Sequence, residues 1–148
     1  PRSTLSIRRQ RQMCIRDRAY IITWNLGHND GVTRKVLRQV NEWKKLGHEV
    51  EIFCATEEIT KAVNGVTFFK KDRVWSSIFA AFKNRKVYTN LCDQVIKYTP
   101  DIVYLRWEFH KRPLARLMER IPTIIEINTF FQKTPSNLLL KYHKHILK

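Results

Sequence analysis

The chain has 148 residues, with 28 Lys and Arg against 13 Asp and Glu, which gives a formal net charge of +15. That length suits one domain with a single sizeable core, and no apolar run reaches the length of a membrane span. The basic balance favours an anionic partner, either a membrane surface or a phosphorylated ligand. Nucleic acid is the weakest choice, because no aromatic RNA-binding signature, zinc-finger spacing or helix-turn-helix accompanies the charge.

The first 18 residues are predicted to lie outside the fold. They carry six Arg and one Asp with almost no apolar periodicity. Arg8 to Asp17 resembles a translated frame of a transposon-based sequencing adapter, whereas composition alone would favour a basic arm that grips nucleic acid. We interpret residues 1–18 as a non-native, disordered segment, with the native chain starting near Ala19 and its true N-terminus missing. Without this segment the formal net charge falls from +15 to +10.

An apolar run, a glycine-bearing loop and an amphipathic pattern follow one another directly. Residues 19–24 favour a strand, and the apolar residues after the loop recur at helical spacing. We predict a helix over 32–46, with Asn29 or Asp30 as its N-cap and Gly47 at its C-terminal end. This order places free backbone N–H groups and a positive helix end beside the loop, which is a ready anion site.

The rest of the chain alternates between strand and helix patterns. Further strands are predicted over 48–54, 65–69, 101–105 and 121–127. Helices are predicted over 74–98 with a break near Asn84, over 112–120, and from Ser136 onward. The residues expected on the buried face of the first of these are Ile78, Phe82, Leu91, Val95 and Tyr98. Cys54 and Cys92 are expected to be reduced core residues.

This alternation predicts an α/β, Rossmann-like fold, in which a parallel sheet carries helices on both faces. The expected core includes Val36, Val40, Ile52, Val103 and Ile125. In open sheets of this class, ligands bind beyond the carboxyl ends of the strands. Polar and aromatic residues gather at four such ends, in the ranges 25–31, 55–57, 106–110 and 126–131.

Four motifs stand in order along the chain. They are Gly31-Val-Thr-Arg-Lys-Val36, Trp43-Lys-Lys-Leu-Gly-His-Glu-Val50, Pro100-Asp-Ile-Val-Tyr-Leu-Arg106 and Pro122-Thr-Ile-Ile-Glu-Ile-Asn128. Together they resemble the N-terminal half of family 4 glycosyltransferases, over essentially all of residues 19–148. The resemblance implies a GT-B fold, in which two Rossmann-like domains enclose the active site. This chain would be the incomplete N-terminal, acceptor-side domain, without the C-terminal domain whose paired glutamates bind the donor.

The resemblance also implies an activity and a set of site residues. Such enzymes transfer a sugar from a nucleotide-sugar donor, with retention of configuration and generally without a bound metal. The first-strand loop would lie against the donor diphosphate, which implies donor-binding roles for Gly27, Asn29, Asp30 and Gly31. The implied acceptor-binding residues are His28, Arg106, Glu108, His110, Glu126 and Asn128. His28 and Glu126 are also weak catalytic candidates, and no cofactor is implied, because the nucleotide-sugar is a co-substrate.

Two departures from the family pattern leave simpler roles open. Many relatives have a doubled glycine where this chain has Asp30 before Gly31, and a histidine-rich end of the fourth strand where it has Tyr104-Leu-Arg106. The loop could be a plain turn, and Arg106 could pair with Glu108 or Glu126. An ion pair closing the sheet end is an equally good role for Glu126.

The competing functional hypothesis is a stand-alone basic module that docks on anionic lipid or on a protein partner. Its expected patch consists of Lys83, Arg85, Lys86, Lys111, Arg112, Arg116 and Arg120. A dinucleotide oxidoreductase ranks last, because Gly27 and Gly31 lack the G-x-G-x-x-G spacing. For the transferase we expect a glycan, lipid or small-molecule acceptor, no nucleic-acid partner, and a cytoplasmic location with possible peripheral contact at the inner face of the membrane.

Overall fold

Five parallel strands form one sheet in the computed structural model, which describes residues 17–73, 82–106 and 112–127. The strands are β1 (Asp17–Ile22), β2 (Glu49–Thr56), β3 (Val66–Lys70), β4 (Ile102–Arg106) and β5 (Thr123–Glu126), in the spatial order β3-β2-β1-β4-β5. The helices in this part of the chain are α1 (Gly31–Lys45), α2 (Arg85–Tyr98) and α3 (Arg112–Met118). The predicted α/β, Rossmann-like fold is confirmed.

Helices cover the sheet on both faces, because side chains alternate along each strand. On the α1 face, Tyr20 and Ile22 of β1 pack in one apolar cluster with Val36 and Val40 of α1. On the other face, a second cluster joins β1, β2 and β4 to α2 and α3. Its buried members include Ala19, Ile21, Phe53, Leu91, Val95, Val103, Leu105, Leu114 and Leu117. Each face therefore has its own apolar layer, and β1 contributes to both.

Strand β1 begins two residues earlier than predicted. Asp17 and Arg18 continue the parallel ladder, opposite Glu49 and Val50 of β2. The Arg18 guanidinium also lies 4.9 Å from the centre of the Trp43 ring. The expectation of disorder throughout residues 1–18 is therefore wrong for Asp17 and Arg18, and residues 1–16 lie outside the described part of the chain. The physical reason is that ladder hydrogen bonds are made by the backbone, so strand pairing can extend into residues without an apolar pattern.

Both ends of α1 follow local sequence signals. Asp30 is the N-cap, and its carboxylate accepts a hydrogen bond of 2.7 Å from the backbone N–H of Thr33. At the other end Gly47 has a φ of 86°, and the N–H of His48 donates to the carbonyl of Trp43. A left-handed glycine with these hydrogen bonds is a common helix stop. The predicted terminal glycine is confirmed, and Asp30 rather than Asn29 is the cap.

Several burial predictions are confirmed and two are wrong. Val36, Val40, Ile52 and Val103 are buried as expected, and so are the free thiols of Cys54 and Cys92. The expected helix-face residues Leu91 and Val95 are buried, Tyr98 is half-buried, and Ile78 lies outside the described residues.

Phe82 and Ile125 are the two exceptions. Phe82 is 78% exposed, because the helical pattern breaks at Asn84, as predicted, and Phe82 lies before α2 begins. Ile125 is 41% exposed and lies on β5, which is the last strand in the sheet order and has a strand neighbour on one side only. In the ranges 17–73, 82–106 and 112–127, no helix has both the length and the apolar character needed to cross a membrane.

Candidate functional site

All five strands are parallel, so their carboxyl ends all lie at the same end of the sheet, where α1, α2 and α3 begin. We call this end, formed by the C-termini of all five strands, the carboxyl edge. In open α/β sheets it is the edge at which ligands bind. The predicted site residues Gly27 to Gly31, Arg106 and Glu126 all stand there. Glu108, His110 and Asn128, together with the neighbouring aromatic residues Trp107 and Phe109, lie outside the described residues.

The two glycines of the β1–α1 loop have different roles. A Cβ atom on Gly27 would stand 1.8 Å from Oγ1 of Thr60, so a side chain at this position requires the exposed Thr60 side chain or the loop to move. The Gly27 N–H also donates to Oδ1 of Asn25 at 2.9 Å. Gly31 has open space within 4 Å and no positive φ, so the fold would tolerate a side chain there. Gly31 therefore leaves room beside the first turn of α1 without being required for backbone geometry.

Asp30 places a carboxylate at the N-terminus of α1. Its oxygens accept hydrogen bonds from the Thr33 N–H and from the indole Nε1 of Trp24, each at 2.7 Å. These hydrogen bonds, the Thr33 one above all, lower the pKa of Asp30, so the group is ionised at neutral pH. A negative charge already occupies part of the anion position that the loop predicts. The neighbouring side chains of His28 and Asn29 are exposed.

A charged cluster joins β1, α1, β4 and β5 at the carboxyl edge. The Glu126 carboxylate forms an ion pair with Lys35 of α1, and one of its oxygens is 3.8 Å from Nη1 of Arg106. The Tyr20 hydroxyl donates to the other carboxylate oxygen at 3.3 Å. Burial, followed by the negative charge of Glu126, raises the pKa of Tyr20 well above its usual range, so the phenol stays protonated. We call these four residues the Glu126 cluster.

The Glu126 cluster is anchored on a stack of aromatic rings. Tyr20 and Tyr104 stack with ring centres 5.0 Å apart, and Trp43 meets both rings from the side of α1. The side chains of Glu126 and Arg106 are only 10% and 19% exposed. Nη1 of Arg106 is fully buried, and no hydrogen-bond partner for it exists among the described residues. Its burial is compensated in part by the charge of Glu126, whose carboxylate oxygen lies 3.8 Å away.

The predicted residues are thus brought together only in part. Arg106 and Glu126 meet, as one of the open alternatives predicted, whereas the described contacts include no hydrogen bond or ion pair from His28 to either. Sequence reasoning missed Lys35 and Tyr20. Tyr20 lies inside an apolar run, which predicts a core residue, and the helical pattern predicts that Lys35 is exposed to solvent. Their contact with Glu126 depends on the parallel register of β1, β4 and β5, which the sequence pattern does not give.

A shallow cavity of about 590 Å³ runs along α1 beside the cluster. Its charged lining residues are Arg34, Lys35, Arg38 and Glu42, and Trp43 also lines it. Basic residues in the first turns of a helix run against the helix dipole, which favours acidic residues there. Across the described ranges, no group of three or more His, Cys, Asp or Glu side chains is placed to hold a metal ion.

A comparison with protein-family models found no match to this chain, and a comparison with curated proteins found no match either.

Proposed function

We propose that this chain is the acceptor-side domain of a retaining glycosyltransferase similar to family 4. The observation that carries the proposal is the Glu126 cluster, in which a carboxylate and two cations stand at the carboxyl edge, next to the glycine-bearing loop and the start of α1. The third motif ends in Arg106, the fourth contains Glu126, and the first contains Lys35. Three of the four motifs that support the resemblance therefore contribute residues to the Glu126 cluster.

The donor diphosphate would lie on the Gly31 side of the loop. Open space at Gly31 allows an anion to approach the first backbone N–H groups of α1. The charge of Asp30 opposes that approach, but Arg34 lies one turn further along the same helix and offsets it. Positive groups placed where charge develops on the leaving nucleotide are the main source of rate in such transfers. We therefore assign these groups to the donor.

The acceptor would lie over β4 and β5. Glu126 can accept a hydrogen bond from an acceptor hydroxyl, because carboxylate oxygens accept several hydrogen bonds at once. The Arg106 guanidinium adds a positive charge beside Glu126, and this charge favours an anionic group of the same acceptor. The ion pair with Lys35 holds the Glu126 side chain in place. In this proposal Glu126 and Arg106 position the acceptor, while the reacting sugar is held from the donor side.

The test uses the longer chain encoded by the uninterrupted reading frame, assayed for sugar transfer from a panel of nucleotide sugars. In that enzyme Gly31→Val should lower turnover by roughly 10²-fold, because the added side chain fills the space in which the diphosphate approaches the helix N–H groups. Lys44→Ala, at the exposed far end of α1, is the matched control and should leave turnover unchanged. Parental turnover in Gly31→Val, or a reading frame without a second α/β domain, would contradict the proposal.

The second candidate function is the stand-alone basic module, and the placement of its residues supports it in part. Lys83, Arg85, Lys86 and Arg112 stand at the carboxyl edge, near the starts of α2 and α3. Arg116 lies along α3 and Arg120 just beyond it, so these two point to a different part of the surface, and Lys111 lies outside the described residues. The downstream reading frame separates the two candidates, since only the transferase needs a donor-binding domain.

A further inference from the structure

The turn that leads into β3 contains the one Asn-Gly pair of the sequence, Asn64-Gly65. The Val66 N–H donates to the carbonyl of Val63 at 3.2 Å, which closes a four-residue turn with Asn64 and Gly65 at its centre. Gly65 has a φ of 74°, whereas the φ of Asn64 is not positive. These two signs are typical of a type II turn, whose third position favours glycine. The turn leaves the Asn64 side chain exposed.

The peptide unit between Asn64 and Gly65 is not held by the sheet. The next carbonyl, that of Gly65, accepts a hydrogen bond of 3.2 Å from the Ile52 N–H of β2. Within the described part of the chain, neither the Asn64 carbonyl nor the Gly65 N–H takes part in a hydrogen bond. Because glycine accepts φ of either sign, this unit can rotate without the loss of a hydrogen bond. The Gly65 nitrogen can therefore approach the Asn64 side chain while β3 stays paired with β2.

Lys44 brings a positive charge to the same turn. It lies in the last turn of α1, at the end of the sheet opposite the carboxyl edge, and a Cβ atom on Gly65 would stand 3.3 Å from its Nζ. The next residue, Lys45, forms an ion pair of 2.8 Å with Glu42 instead. An ammonium group beside an amide stabilises negative charge that develops on that amide during a reaction. The two lysines therefore make a matched pair, of which Lys44 is the one beside the turn.

We propose that Asn64 is a site of spontaneous deamidation in the folded chain, and that Lys44 promotes the reaction. The Gly65 backbone nitrogen attacks Cγ of Asn64, so the N–Cγ bond forms and the Cγ–Nδ2 bond breaks. The Gly65 N–H proton goes to solvent, and the leaving nitrogen takes a proton from solvent and departs as ammonia. Water then adds to either carbonyl of the resulting five-membered succinimide and opens it to aspartate or isoaspartate.

The other described asparagines lack the features that make Asn64 reactive. Each is followed by a residue whose side chain hinders attack by the backbone nitrogen, which glycine does not. Asn41 and Asn90 also lie inside α1 and α2, where the helix ladder holds the backbone, and the Asn84 side chain is only 3% exposed. Asn25 and Asn29, in the β1–α1 loop, are the references that share a loop setting with Asn64.

Deamidation changes both the charge and the backbone at the start of β3. Either product replaces a neutral amide by a carboxylate beside Lys44. Isoaspartate also lengthens the main chain by one carbon just before Gly65, whose carbonyl pairs with Ile52. The Glu126 cluster lies at the other end of the sheet, so the modification leaves the candidate site intact. The inference goes beyond the proposed transfer reaction and stands without it.

The experiment incubates the folded full chain at slightly alkaline pH and follows deamidation by mass spectrometry of tryptic peptides, with an unaged sample digested in parallel. The peptide 62–70 contains Asn64 as its one asparagine, and it should gain the mass shift of deamidation faster than the peptides with Asn25 or Asn29. Lys44→Ala should slow the reaction at Asn64 by about fivefold, and raised salt should reduce this difference. Lys45→Ala is the matched control and should leave the rate unchanged. Asn64→Gln should abolish the shift, because the longer side chain would have to close a six-membered ring.

Two results would overturn the proposal. Asn64 that stays intact in the folded chain but reacts in urea would show that the turn protects the amide. Lys44→Ala and Lys45→Ala with equal rates would show that the charge beside Gly65 does not promote the attack. Neither result depends on sugar transfer.

Discussion

The indole Nε1 of Trp24 donates a hydrogen bond of 2.7 Å to the Asp30 carboxylate, the same group that caps α1. One side chain thus ties the end of β1 to the start of the next helix and closes the loop between them. The carbonyl of Trp24 in turn accepts from the Cys54 thiol of β2 at 3.0 Å. The loop that faces the proposed donor is therefore held by side chains at both of its ends, and its shape depends on the charge of Asp30.

Acidification should weaken the fold through Asp30. The pKa of this carboxyl is lower in the folded chain than in the unfolded one, so its stabilising effect is complete above the ordinary aspartate pKa of about 4 and is lost as pH falls through the folded value. Asp30→Ala should lower the free energy of unfolding by about 1 kcal/mol at neutral pH, as for other lost N-caps. Urea unfolding at pH values from about 7 down to about 3 measures both effects.

Asp30→Asn separates the charge from the cap. The amide oxygen can still accept the Thr33 hydrogen bond, but the NH2 group cannot accept the one from Trp24, so stability at neutral pH should fall between those of the parent chain and Asp30→Ala. The part of the acid slope due to Asp30 should disappear. Asp93→Asn, on the exposed side of α2, is the control and should leave the slope unchanged. An unaltered acid slope in Asp30→Asn would show that other carboxyl groups produce it.

Removal of the Tyr20 hydroxyl should destabilise the chain more than removal of the Lys35 charge. Tyr20 is fully buried and its hydroxyl donates to an ionised group, so Tyr20→Phe should lower the free energy of unfolding by about 2 kcal/mol. The Lys35 side chain is 52% exposed and its ion pair is screened by water, so Lys35→Gln should lower it by less than about 1 kcal/mol. Urea unfolding of both variants is the measurement. The reverse order would mean that the ion pair, and not the phenol, holds Glu126.

The two loop glycines should respond in opposite ways to alanine. Gly27→Ala must move Thr60 or the loop, because the new Cβ would stand 1.8 Å from Oγ1, and should lower the free energy of unfolding by about 2 kcal/mol. Gly31→Ala meets open space in a helical conformation and should be neutral or stabilising by up to about 1 kcal/mol. Thermal or urea unfolding gives both values. Thr60→Ala in the Gly27→Ala background should recover part of the loss, and no recovery would exclude the Thr60 clash as its cause.

The start of the fold can be located by truncation. A chain that begins at Asp17 should be as stable as the full chain. A chain that begins at Ala19 loses the ladder positions opposite Glu49, Val50 and Ile102, and should lose about 2 kcal/mol. It also loses the Arg18 guanidinium that packs on Trp43. Equal unfolding midpoints for the two truncated chains would show that Asp17 and Arg18 add nothing to stability. A chain from Asp17 that is less stable than the full chain would show that residues 1–16 contribute to the fold.

Local signals predicted α1 well and long-range contacts poorly. Asp30 and Gly47 mark the ends of α1 because caps act on neighbouring residues, and the alternation of patterns was enough to identify the parallel sheet. The pairing of Lys35 with Glu126 joins residues 91 positions apart, and no local pattern encodes it. The exposure of Phe82 was missed for a related reason, since a helical period does not show where α2 starts relative to the sheet.

Among the described residues, each face of the sheet has one buried thiol. Cys54 belongs to the layer beneath α1 and Cys92 to the layer formed by α2 and α3. Burial raises the pKa of Cys54 to about 11 and that of Cys92 to about 12, so neither is a reactive thiolate while its layer stays closed. Alkylation of either cysteine therefore requires local opening of its own layer. Peptide mapping after brief exposure to a thiol reagent would therefore measure the rate of local opening of each face separately, without an engineered label.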